Sequence, residues 1–241
     1  MWSVWRNSID VYLARGFAAV MGPQNKVQTV SLPTMVPLSH LLDGLTAYLP
    51  RRARLRIALS AAIARPFSIA VPKGLKSSAE VAPLIEAALT KDWGEAAGTF
   101  NACLDLGTQG LAGVIAKETL GQLHQWAAGA GCSVASISPV WAMASQLQWV
   151  RRRLVKGFVL QEPDGLSWIS EPGAIKGIAW DNACTRLVGF DLSNWRDAPG
   201  LSQADNLVNL SCAVAFRPTA TPLPTDQVFR GEAWESAWRQ A

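Results

Sequence analysis

Apolar positions recur along the chain with two periods, and the switches between them mark out the elements. Residues 2–32 have the pattern of three short strands: WSVWR, then DVYLAR or GFAAVMG, then KVQTVSL. The turn residues Gly22-Pro23-Gln24-Asn25 part the last two, as a hairpin or meander requires. From Pro37 the period becomes helical, with Leu38, Leu41, Leu42, Leu45 and Leu49 on one face and Pro50 as the stop. His40 falls off that stripe and is expected to face solvent or a partner.

Leu55 to Leu59 reads as a buried strand, and Ile63 to Val71 continues it or forms a neighbour. A Pro72-Lys73-Gly74 turn follows. Ser77 and Glu80 then have the spacing of a capping box, in which each side chain satisfies the other residue's backbone N–H. Val81, Leu84, Ile85, Ala88 and Leu89 predict the buried stripe of a helix ending near Asp92. Phe100 to Leu106 and Leu111 to Lys117 read as a strand pair about a turn at Gly107-Thr108-Gln109-Gly110. Thr119 and Gln122 repeat the capping-box spacing before a helix with Leu120, Leu123 and Trp126 inward, closed by Gly129 and Gly131. A strand from Cys132 to Ile137 leads to Ser138 as N-cap and Pro139 at the first helical position. That helix carries Val140, Met143, Ala144, Leu147 and Val150, and ends in Arg151-Arg152-Arg153, whose charge suits a helix C-terminus.

Beyond Arg153 the pattern becomes one of short strands, at Phe158 to Leu160, Leu166 to Ile169, Ala174 to Trp180 and Thr185 to Leu192. Ser202 to Leu210 reads as helical and Cys212 to Phe216 as a strand. The tail from Arg217 is proline-rich and ends with Trp234 and Trp238 four residues apart, as a loose strap or a docked terminal helix would have them. The order of elements predicts an α/β fold with mixed sheets flanked by helices. A larger lobe over residues 1–150 is followed by a smaller, β-rich lobe over 151–241.

Composition narrows the function. With 49% hydrophobic and 17% charged residues the chain is not disordered, and so few charges imply a large core or apolar surface covered by a partner. The net charge is +4, and the cations gather at Arg51-Arg52-Ala53-Arg54 and Arg151-Arg152-Arg153. Each cluster is a solvated run or a contact for phosphates or an anionic membrane face. Aromatics interleaved with basic residues are lacking, so nucleic acid is not an expected partner. Cys103, Cys132, Cys184 and Cys212 have no CxxC or CxH spacing, which predicts reduced thiols and no metal site. MWSVWRNSIDVY has no signal pattern, and no run of eighteen apolar residues occurs, so a cytoplasmic protein without its own anchor is expected.

Catalytic patterns are thin. There is no G-x-S-x-G elbow for His40 or His124 to serve, no P-loop and no GxGxxG. Cys103 or Cys132 could meet His124, but a buried structural thiol is the expected role. Glu162 and Asp164 are two apart in a turn, where turn chemistry accounts for the Asp.

The run IARPFSIAVPKGLKSSAEVAPLIEAAL, from Ile63 to Leu89, resembles a segment of actin-like assembly proteins of bacterial envelope machines. These are the PilM protein of type IV pili and the cytoplasmic domain of the type II secretion L protein. Ile115-Ala116-Lys117-Glu118, Ala130-Gly131-Cys132-Ser133-Val134 and Ser138-Pro139-Val140-Trp141-Ala142-Met143-Ala144 are similar to a second passage, so the resemblance spans about residues 55–150. It implies a two-lobed, ribonuclease H-like actin fold. An active member needs an acidic-glycine turn near the N-terminus, another opening the second lobe, and a glycine pair for adenosine. Here Arg6-Asn7-Ser8-Ile9-Asp10 stands at the first place without glycine. Glu162-Pro163-Asp164-Gly165 stands at the second, where Pro163 removes an N–H, and no Gly-Gly occurs. Asp105, Gly107 and Thr108 have the residues of a phosphate turn, but out of order, and a hairpin turn accounts for them more simply.

The resemblance therefore implies a non-catalytic scaffold, with no cofactor, at the cytoplasmic face of a type II secretion or type IV pilus machine. Its partners would be the assembly ATPase and the cytoplasmic tail of a bitopic inner-membrane protein, and a homodimer is compatible with it. The secretion L proteins carry a transmembrane helix after this domain, whereas this sequence stops at Ala241, so either the anchor follows or a partner supplies it. Among the eleven Trp, Trp2, Trp5, Trp234 and Trp238 are the expected partner contacts, with Arg151, Arg152 and Arg153. The alternative is an actin-like ATPase or sugar-kinase relative that binds nucleotide through Asp105, Gly107 and Thr108.

Overall fold

Every residue from Ile9 to Ala14 is buried in the first strand, β1 (Ser8–Ala14). A strand covered on both faces reads as a continuous apolar run rather than an alternation. The structure is a computed structural model describing residues 8–21, 27–68, 78–104, 111–145, 157–170, 207–211 and 226–227. A two-residue turn at Arg15 and Gly16 returns the chain as β2 (Phe17–Met21), antiparallel to β1 with Ala14 opposite Phe17. DVYLAR and GFAAVMG are thus two strands of one hairpin, not alternatives for one strand. The turn works because Gly16 has φ +70°, and a Cβ there would lie 2.6 Å from the Leu32 carbonyl oxygen. β3 (Val27–Ser31) pairs antiparallel with β2, and α1 (Leu38–Thr46) follows, burying Leu41, Leu42 and Leu45. His40 is exposed on it, as expected.

β4 (Arg54–Leu59) runs parallel to β1, and β8 (Ser133–Pro139) runs parallel to β4. The five-stranded order is β3-β2-β1-β4-β8, with only β2 running against the rest. In register on neighbouring strands, Asp10 and Arg56 form a bidentate ion pair, Arg56 Nη2 lying 2.8 Å from Asp10 Oδ2. Both side chains are nearly buried, and two-pronged pairing meets the guanidinium's fork geometry.

A second layer is inserted between β4 and β8. It holds β5 (Arg65–Ser68), α2 (Ser78–Trp93), a 3-10 turn over Gly94–Thr99, β6 (Phe100–Leu104) and β7 (Leu111–Ala116), with sheet order β5-β7-β6. The run after Ile63 is therefore a separate strand in another sheet. α2 packs Val81, Ile85 and Leu89 onto Val114, four residues apart as a helical stripe demands. Trp93 closes this small core edge-on between Phe67 and Phe100, at centroid distances of 5.9 and 4.7 Å.

α3 (Lys117–Gly129) follows β7 directly and sends Leu123 and Ala127 into the core that α1 covers, and α4 (Val140–Ser145) follows β8. Trp126 Nε1 donates to Thr46 Oγ1 (3.0 Å), and Trp141, fully buried on α4, donates to the Ala64 carbonyl (3.0 Å). The last sheet holds β9 (Gly157–Glu162), β10 (Gly165–Ser170), β11 (Leu207–Ser211) and β12 (Asp226–Gln227), in the order β10-β9-β11-β12.

Four expectations are corrected. Thr119 and Gln122 form no capping box: the helix already begins at Lys117, with no side-chain cap, and Gln122 donates instead to Glu118. Ser138 and Pro139 do not open a helix but end β8, where Pro139 sits opposite Leu59. Residues 207–210 are strand rather than helix, because parallel pairing with β9 outweighs their helical spacing. Cys132 was expected to be buried but is half-buried, and its thiol donates to the Pro50 carbonyl (3.4 Å). WSVWR, Ser77, Leu147, Val150, the strands at 174–180 and 185–192, Cys212 to Phe216 and the tail lie outside the described residues.

Gly16→Ala meets both a left-handed φ and a backbone oxygen, and should lower unfolding stability by about 1–3 kcal/mol. Gly94→Ala, at φ +58° but in open space, should lose less. Urea midpoints of the two variants check the ranking; equal losses would contradict the close approach at Gly16.

Candidate functional site

Parallel pairing of β1 and β4 brings their carboxyl ends out together, with Leu13 opposite Leu59. Ser60 N then donates to the Leu13 carbonyl (2.8 Å), which fixes the first residue past β4 against the last turn of β1. As a result the backbone N–H groups of Arg15 and Ala61, and the hydroxyls of Tyr12 and Ser60, converge at one end of the sheet. Converging donors of this kind favour an anion.

The chain supplies the anions itself. Pro163 and Asp164 form the two-residue turn between β9 and β10, with Glu162 opposite Gly165. Proline presets its own φ, and Asp and Gly after it suit the following turn positions. Both acidic side chains reach across to the first sheet. Glu162 accepts from Tyr12 OH (3.3 Å) and from Ala61 N, at 3.3 Å to Oε1 and 3.2 Å to Oε2. Asp164 Oδ2 accepts from Ser60 Oγ (2.7 Å) and from Arg15 N (2.9 Å). Glu162 is 2% exposed, and Tyr12 and Ser60 not at all. Ionised acceptors make such bonds roughly twice as strong as neutral ones, and burial makes their loss costly.

This seam ties the last sheet to the first. Ser60 donates to a carboxylate rather than to an imidazole, and His40 and His124, the only histidines, are exposed on α1 and α3. No three His, Cys, Asp or Glu side chains cluster as metal ligands among the described residues.

The expected site residues fare differently. Trp2, Trp5, Arg151, Arg152, Arg153, Trp234 and Trp238 lie outside the described residues, as do Asp105, Gly107 and Thr108 of the alternative nucleotide turn. Ser8, Ile9 and Asp10 belong to β1 and form no turn; the turn at that strand is Arg15-Gly16, and it does contain glycine. Tyr12, Arg15, Ser60 and Ala61 were not singled out by sequence reasoning. The one available signal was Arg-Gly between two apolar runs, the shortest break a hairpin allows.

A five-stranded sheet with one reversed strand, helices on its faces and a further sheet beyond defines an actin-like, ribonuclease H-like α/β fold, as the resemblance implied. Among solved structures the chain is similar to the cytoplasmic domain of EpsL, an inner membrane component of the type II secretion system of Vibrio cholerae. The TM-score is 0.56 at 14% identity, covering 97% of this chain and 93% of that one, a likeness of fold. A fainter one, at TM-score 0.44 and 10% identity over 69% of this chain and 66% of the other, is to a Bacteroides thetaiotaomicron protein with an actin-like ATPase fold and unknown function. As a sequence the chain matches no protein-family model and no curated protein.

Glu162→Ala removes the acceptor from a buried N–H and a buried hydroxyl, and should destabilise by about 2–4 kcal/mol. Glu162→Gln keeps an acceptor oxygen and should lose clearly less. Urea unfolding followed by Trp fluorescence measures both; two equal, small losses would show that the seam contributes little.

Proposed function

We propose that this protein is a non-catalytic, actin-like scaffold at the cytoplasmic face of a type II secretion or type IV pilus assembly machine. There it binds the assembly ATPase, the cytoplasmic tail of a bitopic inner-membrane protein, or both, and holds to the inner membrane through these partners. The observation that carries the reading is the fold shared with the EpsL cytoplasmic domain over nearly the whole of both chains. The carboxylate seam supports the non-catalytic part. An incoming phosphate would have to displace Glu162 and Asp164 from their donors and then sit beside two like charges. No described helix is long and apolar enough to cross a membrane, which leaves the described part of the chain to act from one side of it.

Two measurements test the reading. ATP with Mg²⁺ should leave the melting temperature unchanged, whereas a nucleotide at a hundred times its dissociation constant would add about 2.7 kcal/mol. A clear shift would favour the alternative, an actin-like ATPase or sugar-kinase relative using Asp105, Gly107 and Thr108. Mixed with the assembly ATPase and with the bitopic tail from its own organism, the purified chain should co-elute with at least one. Failure with both overturns the scaffold role.

A further inference from the structure

The opposite end of the five-stranded sheet has a different character. Ser8, Arg54 and Ser133 line up there as the first residues of β1, β4 and β8. The C-terminal ends of α1 and α3 lead into the same edge, through Tyr48 to Ala53 and through Ala130 to Cys132. Arg51, Arg52 and Arg54 are all exposed at this corner, and none makes an ion pair, side-chain hydrogen bond or ring contact among the described residues. Asp10, the acidic residue of the adjoining strand, is already paired with Arg56. Asp43, on the exposed face of α1, bridges to none of them. Residues 1–7 and 22–26, which in sequence precede β1 and separate β2 from β3, contain no Asp or Glu.

Arg52 is the telling residue. Its φ is +62°, the one positive value at a non-glycine position among the described residues. The conformation is fixed by Arg52 N donating to the Gly131 carbonyl (3.0 Å) and Ala53 N to the Pro50 carbonyl (3.2 Å). Glycine would adopt this backbone without strain, so local folding does not favour arginine here. Among the described residues no acidic side chain pairs with its charge. Four residues before it, Tyr48 is one of two large apolar side chains exposed among the described residues, at 44%. An exposed aromatic ring with a polar tip, close in sequence to arginines without an acidic partner among the described residues, is the composition that rests at a lipid headgroup layer.

We infer that the corner formed by Tyr48, Arg51, Arg52 and Arg54 is a direct contact for an anionic lipid surface. Guanidinium groups meet phosphate oxygens in two-pronged fashion, which suits lipid headgroups better than a lysine patch would. This goes beyond attachment through partners, and it does not depend on which machine the protein serves. The contact is electrostatic and weak, each arginine being worth roughly a fivefold change in partitioning near an anionic bilayer. It acts as a second tether that orients the carboxylate seam away from the membrane, because the two lie at opposite ends of the same strands.

The full chain is sedimented with phosphatidylcholine vesicles prepared with and without phosphatidylglycerol. It should partition only to the phosphatidylglycerol vesicles, and the partitioning should vanish at 1 M salt, where the Debye length is roughly 3 Å. Arg52→Gly should lower it roughly fivefold while the melting temperature stays level or rises, since strain is relieved. That pairing separates a membrane contact from a structural role, which would lower both together. Arg51→Ser/Arg52→Gly/Arg54→Ser should abolish partitioning. Equal binding to both vesicles, retention in the triple variant, or capture by a short poly-glutamate peptide without vesicle binding would each overturn the inference.

Discussion

Two carboxylates on one hairpin turn set the arrangement of the molecule. Glu162 and Asp164 accept from four donors of the first sheet: a phenol, a serine hydroxyl and the N–H groups of Arg15 and Ala61. Their partners are 101 to 150 residues away in sequence, so each bond closes a very long loop. Loop-closure entropy rises only logarithmically with length, and one closure serves all of these bonds at once. The last sheet is thereby held on the first by buried, charge-assisted bonds rather than by apolar contact alone. Removing the Glu162 carboxylate would take the acceptor from the buried Ala61 N–H, an expensive way to lose a hydrogen bond.

The seam depends in turn on features that look local. Gly16 must turn in two residues so that Arg15 N points outward, and Ser60 must fold back on Leu13 so that Ala61 N points beside it. Both follow from β1 and β4 lying parallel and in register, a pairing that the buried Asp10–Arg56 ion pair fixes. A slip of one residue would separate those charges and drive Ile9, Val11, Leu13, Leu55 and Ile57 into the opposite face, which is already filled by Tyr12 and Ala58. The ion pair is therefore better understood as a register device than as a source of stability.

The parts of the fold that were legible in sequence are those decided within one element. The stripes of α1 and α2 bury the residues their spacing singles out, Leu41, Leu42 and Leu45 in one and Val81, Ile85 and Leu89 in the other. Where a distant partner decides, local signals mislead. Ser138-Pro139 has the chemistry of a helix start but ends a strand because Leu59 lies opposite. Residues 207–210 have helical spacing but pair with β9. The hairpin at Arg15-Gly16 was obscure because Arg-Gly is not among the dipeptides that usually mark so tight a turn. The candidate site was half legible: Glu162-Pro163-Asp164-Gly165 announces a turn, but nothing nearby in sequence says which donors its carboxylates meet.

The seam also bears on how the two sheets keep one relation to each other. When lobes close on an exchangeable ligand, their relative position follows that ligand's concentration, since binding adds stability only in proportion to occupancy. Carboxylates covalently part of the chain are always present at the donors, so closure becomes a fixed property of the fold. The surfaces on either side of the seam therefore stay in one relation without turnover. The same logic fits the strained Arg52 at the far end of the strands, where charge is retained against backbone preference. At one end of the sheet the chain fills its own anion cradle, and at the other its arginines have no acidic partner among the described residues.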